Sequence, residues 1–157
     1  MSSLQEPGVA TALSPLQRLE IREACEQLAL DYSFFADNQR MDEWSNLFAD
    51  DGEMVLFGQT YRGPAAIRAA VGAGRGASAL SVHAITNQRI DIVSESEATA
   101  SVYIIVYSGE RKAGGPAAAS MIAPAMVGTY HDAYRKTPVG WKFARRAFEP
   151  LITTAQG

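Results

Sequence analysis

The sequence predicts a single α+β domain in which helices come first and a run of antiparallel strands follows. Two observations predict this class: apolar residues recur at helical spacing up to about Phe48, and the pattern changes to that of strands from Asp51 onward. Helices that precede a series of strands pack together on one face of the sheet. We expect the sheet to curl around the first helix as a cone-shaped α+β barrel and to enclose a pocket lined by inward-facing side chains.

Length and charge narrow the class of protein further. The chain has 157 residues, which fits one domain, and its 14 basic and 17 acidic residues give a formal net charge of −3. With no basic surplus to neutralise phosphates, neither nucleic acid nor a membrane surface is an expected partner. One cysteine, Cys25, excludes an internal disulfide and a Cys-based zinc site. The first residues lack the features of a secretory signal, so a cytoplasmic location is expected.

The first helix is predicted from its start signal and from one apolar stripe. Ser14, Pro15 and Gln17 supply an N-cap hydroxyl, a proline at the first helical position and the closing residue of a capping box. Apolar residues then recur at helical spacing at Ile21, Cys25, Leu28, Tyr32 and Phe35. We predict a helix that ends near Ala36. Residues 1–13 have no such periodicity and are expected to form a flexible tail.

The remaining elements follow from changes of period and from turn residues. A short helix is predicted over Met41–Phe48 and another from Gly63-Pro64, separated by a strand over Glu53–Phe57 and a return strand over Thr60–Arg62. Four β segments are then predicted at Leu80–Val93, Ala98–Ser108, Met121–Lys136 and Trp141–Phe148. The domain is therefore expected to span residues 14–150, with residues 151–157 as a C-terminal tail.

Four polar residues stand where an apolar residue would be ordinary. Tyr32 lies on the buried stripe of the first helix, and Asp37 follows at its C-terminal end, where the helix dipole should raise the pKa of a carboxyl group. His83 lies in a strand, on the same face as Ile85 and Asn87 if the alternation is regular. Asp37 could instead begin a solvated turn, and His83 could be a structural residue.

The fourth polar residue lies in the last strand. Arg145 and Arg146 are adjacent, so they must point to opposite sides of the sheet, and alternation places Arg146 with Phe148 and opposite Phe143. If one face of the sheet lines a pocket, one guanidinium points inward. The alternative is that both arginines are solvated.

Several common chemistries are excluded by the absence of their motifs. The chain has no P-loop, no dinucleotide-binding glycine motif, no GxSxG elbow and no HExxH. Its two histidines are far apart and no cysteine cluster accompanies them, so we expect neither a metal nor a cofactor.

The polar residues and the element order together resemble a known family. The motifs are Tyr32-x4-Asp37, Trp44-x2-Leu47-Phe48-x2-Asp51-Gly52, Tyr61-x-Gly63-Pro64-x2-Ile67, His83-x3-Asn87-x2-Ile90 and Gly128-x-Tyr130-x-Asp132-x2-Arg135-x4-Gly140-Trp141. They resemble the SnoaL-like branch of the nuclear transport factor 2-like superfamily. Within it, the chain looks most similar to the group of lindane dehydrochlorinase, bile-acid 7-alpha-dehydratase and scytalone dehydratase.

The resemblance implies roles for the four polar residues. Enzymes of that group use an Asp–His dyad without cofactor or metal, and Asp37 and His83 occupy its places. Arg146 matches an assisting arginine of the last strand, and Tyr32 matches a tyrosine five residues before the aspartate. The dyad would act as a general base in a dehydratase or dehydrohalogenase elimination on a small hydrophobic cyclic or aromatic substrate.

Other outcomes remain open at this point. The same pocket could serve a ketosteroid-isomerase-like isomerase or a polyketide cyclase, and the superfamily also holds ligand-binding and accessory subunits without turnover. The expected substrate-binding walls come from the aromatic residues and one methionine of the inward faces, namely Phe34, Phe35, Trp44, Phe57, Tyr103, Tyr107 and Met121. We also expect a homo-oligomer, a trimer in preference to a dimer, because relatives assemble in this way.

Overall fold

A computed structural model of the chain describes residues 12–72, 79–110 and 126–153. Three helices and six strands occur in these ranges, which confirms the α+β class. In chain order they are α1 (Pro15–Asp37), α2 (Met41–Ser45), β1 (Phe48–Leu56), β2 (Gln59–Arg62), α3 (Gly63–Gly72), β3 (Ala79–Ile92), β4 (Glu97–Glu110), β5 (Met126–Thr137) and β6 (Gly140–Thr153).

The six strands form one mixed sheet in the order β2-β1-β6-β5-β4-β3. All neighbouring strands are antiparallel except β1 and β6, which are parallel. Strands β2 and β3 are the two edges among the described strands, so the sheet is open and does not close into the expected barrel. The helices pack on one face of this sheet, and the core and the cavity described below lie between the helices and that face.

Helix α1 begins as its start signal predicts. The Gln17 backbone N–H donates to Ser14 Oγ at 3.2 Å, and the Ser14 backbone N–H donates to Gln17 Oε1 at 2.8 Å, which completes the capping box. The buried side of the helix carries Ile21, Cys25, Leu28, Ala29, Tyr32, Ser33 and Ala36. This side packs mainly against β3, so the C-terminal end of α1 lies over that strand.

Several element bounds differ from the predicted ones. Helix α2 ends at Ser45, and Phe48 instead begins β1, where it pairs with Phe143 of β6. Strand β6 continues to Thr153, so residues 151–153 belong to the sheet and not to a tail. The predicted start of the third long β segment at Met121 lies outside the described residues, as do residues 1–11 of the N-terminal tail and residues 154–157.

Two irregularities in the sheet change which side chains face the core. Asn87 has φ +50°, and the register of β3 against β4 shifts between Thr86 and Arg89, so Asn87 is exposed and does not share the face of His83. On β6, Ala144 is an extra residue between the pairs Tyr134–Phe143 and Ala133–Arg145.

The extra residue on β6 places two side chains on the same side. A β-bulge of this kind shifts the alternation by one residue. Phe143 and Arg146 are therefore both buried, with exposed fractions of 0% and 1%. The expectation that they face opposite sides of the sheet is wrong for this reason.

None of the helices in the described ranges is long and apolar enough to cross a membrane.

Candidate active site

A cavity of about 680 Å³ lies between the helices and the inner face of the sheet. This volume is in the range of small-molecule sites. Most of its wall is apolar, formed by Ala36, Trp44, Met54, Leu56, Phe57, Ala70, Val71, Leu80, Val106, Met126 and Phe148. The polar side chains in the wall are those of Tyr32, Ser81, His83, Ser108 and Tyr130. An apolar cavity with a few convergent polar groups is the usual form of a ligand or substrate site.

Asp37 and His83 meet at the wall of this cavity. The Asp37 Oδ1 atom lies 2.5 Å from His83 Nδ1, and Asp37 Oδ2 accepts the His83 backbone N–H at 2.8 Å. Ser81 Oγ donates to Asp37 Oδ1 at 3.0 Å. The carboxylate therefore accepts hydrogen bonds from the side chain and the backbone of the same histidine. The contact arises because α1 ends at Asp37 directly over β3, which carries both partners.

The electrostatics of Asp37 differ from the expectation based on the helix dipole. Burial by itself raises the pKa of this carboxyl group, but the hydrogen bonds from the His83 imidazole, the His83 backbone and Ser81 outweigh that effect. The net pKa of Asp37 lies below its ordinary value of 3.8, so the group is a carboxylate at neutral pH. The predicted rise in its pKa is therefore wrong, because the partners were not visible in the sequence.

The hydrogen bond to Asp37 determines which nitrogen of His83 is available. A carboxylate can only accept, so in the neutral imidazole Nδ1 carries the proton and Nε2 carries the lone pair. No side chain in the described ranges forms a hydrogen bond with Nε2. The His83 side chain is only 9% exposed, and it belongs to the cavity wall. The arrangement is that of an oriented general base.

Tyr32 also lies in the cavity wall, 3% exposed, among the aromatic rings of the core. Its ring centroid is 5.1 Å from that of Trp44 and 5.6 Å from that of Tyr130. Burial raises the pKa of the Tyr32 hydroxyl well above its ordinary value, and the neighbouring Tyr130 phenol adds to the rise. Tyr32 therefore keeps its proton at neutral pH and is available as a hydrogen-bond donor.

Arg146 points inward but lies outside the cavity wall. Its Nε and Nη2 atoms donate to the two carboxylate oxygens of Asp132 at 2.8 and 2.7 Å, and the Tyr134 hydroxyl donates to the same carboxylate at 2.8 Å. Burial by itself lowers the pKa of Arg146, but the Asp132 carboxylate raises it above the ordinary value, so the guanidinium stays charged. The alternative of a solvated Arg146 is therefore wrong. In this geometry the guanidinium contacts Asp132 and does not reach a ligand in the cavity.

The predicted substrate-binding residues divide into three groups. Trp44 and Phe57 line the cavity. By contrast, Phe34 is 53% exposed on the outer side of α1, and Phe35 packs beneath the Arg40 guanidinium, 4.8 Å from its ring centroid. Neither residue lines the cavity, so that expectation is corrected for both.

The two tyrosines of β4 are corrected in the same way. Tyr103 is 46% exposed, and Tyr107 shares its side of the strand, because the buried side is formed by Val102, Ile104 and Val106. Alternation along β4 therefore directs both tyrosines away from the cavity. Met121 lies outside the described residues.

The sequence reasoning missed several wall residues. Tyr130 and Met126 face the cavity from β5, Phe148 from β6 and Ser81 from β3. Two of these had a usable signal: Ser81 is two residues before His83 and so shares its face, and Phe148 is two residues after Arg146. In the described ranges, no group of three or more His, Cys, Asp or Glu side chains is arranged to hold a metal ion.

Comparisons with known proteins agree with this fold. A search of curated proteins finds no match. Among solved structures, the chain is similar to a candidate scytalone dehydratase from Novosphingobium aromaticivorans, at 24% identity and a TM-score of 0.74, over 92% of this chain and 93% of that one. It is also similar to an NTF2-like protein with a cystatin-like fold from the same organism, at 25% identity and a TM-score of 0.70, over 89% and 88% of the two chains.

A third similar structure is a type 2 hexachlorocyclohexane dehydrochlorinase, at 23% identity and a TM-score of 0.71, over 91% of this chain and 98% of that one. A family model described as the SnoaL-like domain matches residues 17–147, which is most of the chain. The protein therefore belongs to the SnoaL-like domain family, within the nuclear transport factor 2-like superfamily.

Proposed function

We propose that the protein is a cofactor-independent lyase that removes a small leaving group from a hydrophobic cyclic or aromatic substrate. The observation that carries this proposal is the 2.5 Å contact between Asp37 Oδ1 and His83 Nδ1 at the wall of a largely apolar cavity. Two similar structures are named for eliminations, a dehydratase and a dehydrochlorinase, and this chemistry suits an oriented base.

The proposed step is a proton abstraction coupled to departure of a leaving group. His83 Nε2 takes a proton from a carbon of the substrate, and the C–H electron pair forms a double bond to the neighbouring carbon. The bond from that neighbour to the leaving group breaks, and the group departs with its electron pair as hydroxide or halide. Asp37 stabilises the imidazolium that forms, because the carboxylate already accepts the Nδ1 proton.

The leaving group needs a hydrogen-bond donor in the cavity. Tyr32 is protonated at neutral pH and lies in the same wall, so its hydroxyl is the proposed donor to the departing oxygen or halide. A buried donor of this kind stabilises charge more strongly than it would in water, because the surrounding apolar side chains exclude solvent.

Product analysis over a panel of compounds tests the proposal. Hydroxylated and halogenated cyclic compounds are incubated with the wild-type protein, and products are analysed by mass spectrometry. A lyase gives a product lighter than its substrate by the leaving group plus one hydrogen, which is the mass of water or of a hydrogen halide. An isomerase, which would use the same base and return the proton to another carbon, gives a product of unchanged mass.

A matched pair of histidine variants assigns the activity to the site. His83→Ala should lower the turnover rate by about 10²- to 10⁴-fold, the usual contribution of a positioned general base. His131→Ala is the control, because this second histidine is half-exposed and pairs with Glu149 on the sheet's other side. Turnover that survives in His83→Ala, or falls equally in His131→Ala, would contradict the proposal.

The oligomeric state remains a prediction of its own. We infer a homo-oligomer, a trimer in preference to a dimer, on the ground of family resemblance. Light scattering on the purified protein measures the mass in solution, and a monomer at micromolar concentration would refute it.

A further inference from the structure

Tyr130 is a polar residue of the cavity wall to which no role has yet been given. It is 4% exposed, and it lies on β5 with its ring edge against Tyr32, at a centroid distance of 5.6 Å and an interplanar angle of 69°. The Tyr130 phenol also contributes to the raised pKa of Tyr32, so the two groups interact. Two phenols from different elements, α1 and β5, are therefore in contact in the wall of a largely apolar cavity.

The buried guanidinium of Arg146 packs against the rings of both tyrosines. The Arg146 Cζ atom lies 4.2 Å from the ring centroids of Tyr32, Tyr130 and Phe143. Its Nε and Nη2 atoms are committed to Asp132, and its third nitrogen, Nη1, is buried without a hydrogen-bond partner among the described residues. A guanidinium in contact with ring faces fixes their positions and draws electron density from them.

The contacts of Arg146 distinguish two roles. A residue that binds substrate directly must reach the cavity with a donor atom, whereas Arg146 is 1% exposed and its bidentate fork faces Asp132. Its charge instead acts on the phenols, since its positive charge opposes the rise in the pKa of Tyr32 that burial causes. A phenol with a cation at its ring face is a stronger hydrogen-bond donor than one in an apolar wall alone.

We propose that Tyr130 and Tyr32 together bind an oxygen atom of the substrate as a pair of donors, and that Arg146 is a positioning residue that holds both rings without contacting the substrate. The ligand chemistry follows: one end of the bound molecule carries a hydroxyl or carbonyl oxygen, and the rest of it is apolar. This inference rests on the proposed function only in taking the same cavity as the substrate site.

A binding experiment with two probes tests Tyr130 without requiring turnover. The probes are 2-naphthol and naphthalene, which differ by one oxygen, and their dissociation constants are measured by fluorescence titration. The readout is the preference ratio, the dissociation constant of naphthalene divided by that of 2-naphthol. Tyr130→Phe should lower this ratio by about 2- to 12-fold, the range for one neutral hydrogen bond.

Tyr103→Phe is the matched control for this experiment. It removes a tyrosine hydroxyl from the sheet's other side, where the ring is 46% exposed, and it should leave the ratio unchanged. A ratio that stays constant in Tyr130→Phe overturns the proposal, and so does a wild-type protein that does not bind 2-naphthol. If Tyr130→Phe does not fold, the crystal structure of the wild-type protein with 2-naphthol decides. The naphthol oxygen must then lie within hydrogen-bond distance of the Tyr130 hydroxyl.

The role of Arg146 is tested through the same ratio. Arg146→Lys keeps the charge but loses the planar fork and the contact with three rings. It should lower the preference ratio in the wild-type background and should lower it no further in a Tyr32→Phe/Tyr130→Phe background. An equal fall in both backgrounds, or no fall in the wild type, contradicts a positioning role. In the complex with 2-naphthol, a contact between the naphthol oxygen and the guanidinium would contradict it too.

This test and that of the proposed function can fail separately. If no compound is turned over but the preference ratio responds to Tyr130→Phe, the lyase proposal fails and the phenol pair stands as a binding site. If turnover depends on His83 but the ratio does not respond, the base stands and the phenol pair fails.

Discussion

The change of Asp37 to asparagine is the sharpest perturbation that the structure offers. The carboxylate accepts three hydrogen bonds, from Ser81 Oγ and from the backbone and Nδ1 of His83. An asparagine keeps one oxygen, and its amide nitrogen can only donate. The asparagine oxygen can accept from the backbone N–H of His83, as Oδ2 of Asp37 does. The amide nitrogen then faces Nδ1, so Nδ1 must be the unprotonated nitrogen and the histidine is forced into the opposite tautomer. His83 Nε2 then carries a proton and cannot act as a base.

The expected loss in turnover follows from this wrong tautomer. Removal of a positioned general base costs about 10²- to 10⁴-fold, and an Asp→Asn change that reverses the tautomer of a catalytic histidine lies at the upper end of that range. The assay is kcat/KM with the substrate found in the compound panel. Thermal unfolding is measured in parallel, because one hydrogen bond to a charged group contributes about 1.5–3 kcal/mol to stability.

The stability difference between Asp37→Asn and the wild type should depend on pH in one direction. Since the pKa of Asp37 in the folded protein lies below its ordinary 3.8, its contribution to stability is fully present above that value. It is lost as the pH falls through the lower pKa of the folded state. The two proteins should therefore differ in unfolding free energy at neutral pH and converge in strong acid.

Asp31→Asn is the control for the same change of charge. Asp31 lies on α1, six residues before Asp37, and it accepts a hydrogen bond from Gln27 Nε2 at 2.7 Å outside the cavity. This variant should keep wild-type turnover. If Asp37→Asn retains turnover within a few-fold of the wild type while folded, the reasoning about the tautomer is refuted.

Three further predictions concern the packing beneath the cavity. Asp132→Ala should lower the free energy of unfolding by about 3–5 kcal/mol in denaturant titrations, because it leaves the buried Arg146 charge without its partner. Gly128→Ala should lower it by about 1–3 kcal/mol, because a Cβ there would lie 2.8 Å from Phe148 Cζ, closer than packed side chains allow. Cys25, fully buried with a pKa raised to about 12, should react with a thiol reagent only after unfolding.

The predictions for Asp132 and Gly128 each have a matched control variant. Arg135→Met breaks the surface pair with Asp51 and should leave the unfolding midpoint nearly unchanged. Gly72→Ala adds a Cβ that meets nothing within 4 Å and should be tolerated. The packing described above would be contradicted if the thiol reacted as fast in the native protein as in the unfolded one. An equal loss of unfolding free energy in Asp132→Ala and Arg135→Met would contradict it as well.

The sequence was sufficient where local patterns decide the structure. Helix α1 could be predicted because its capping box and its apolar stripe are both local features. The choice of Asp37 and His83 relied on residue types that are unusual at their positions and on the family resemblance. Their contact could not be derived from either segment alone, because it depends on how α1 packs over β3.

The errors arose where the decisive feature is a register or a long-range partner. In β4, Val102 to Tyr107 is apolar or aromatic at every position, so alternation in the sequence does not reveal which side faces the cavity, and residue type alone does not place the tyrosines. The extra residue Ala144 in β6 leaves no signal in the sequence. Asp132 of β5 pairs with Arg146 of the adjacent strand β6, and its neighbours in the sequence likewise do not indicate that it is buried.

The tautomer of His83 tests the central claim most directly, because it requires no substrate. The chain has only two histidines, so the ring nitrogens of a ¹⁵N-histidine-labelled sample can be assigned by comparison with His131→Ala. In alkaline solution, the NMR spectrum should show His83 with its proton on Nδ1 and with Nε2 unprotonated, and Asp37→Asn should reverse this. A wild-type His83 with its proton on Nε2 would contradict the account of the base.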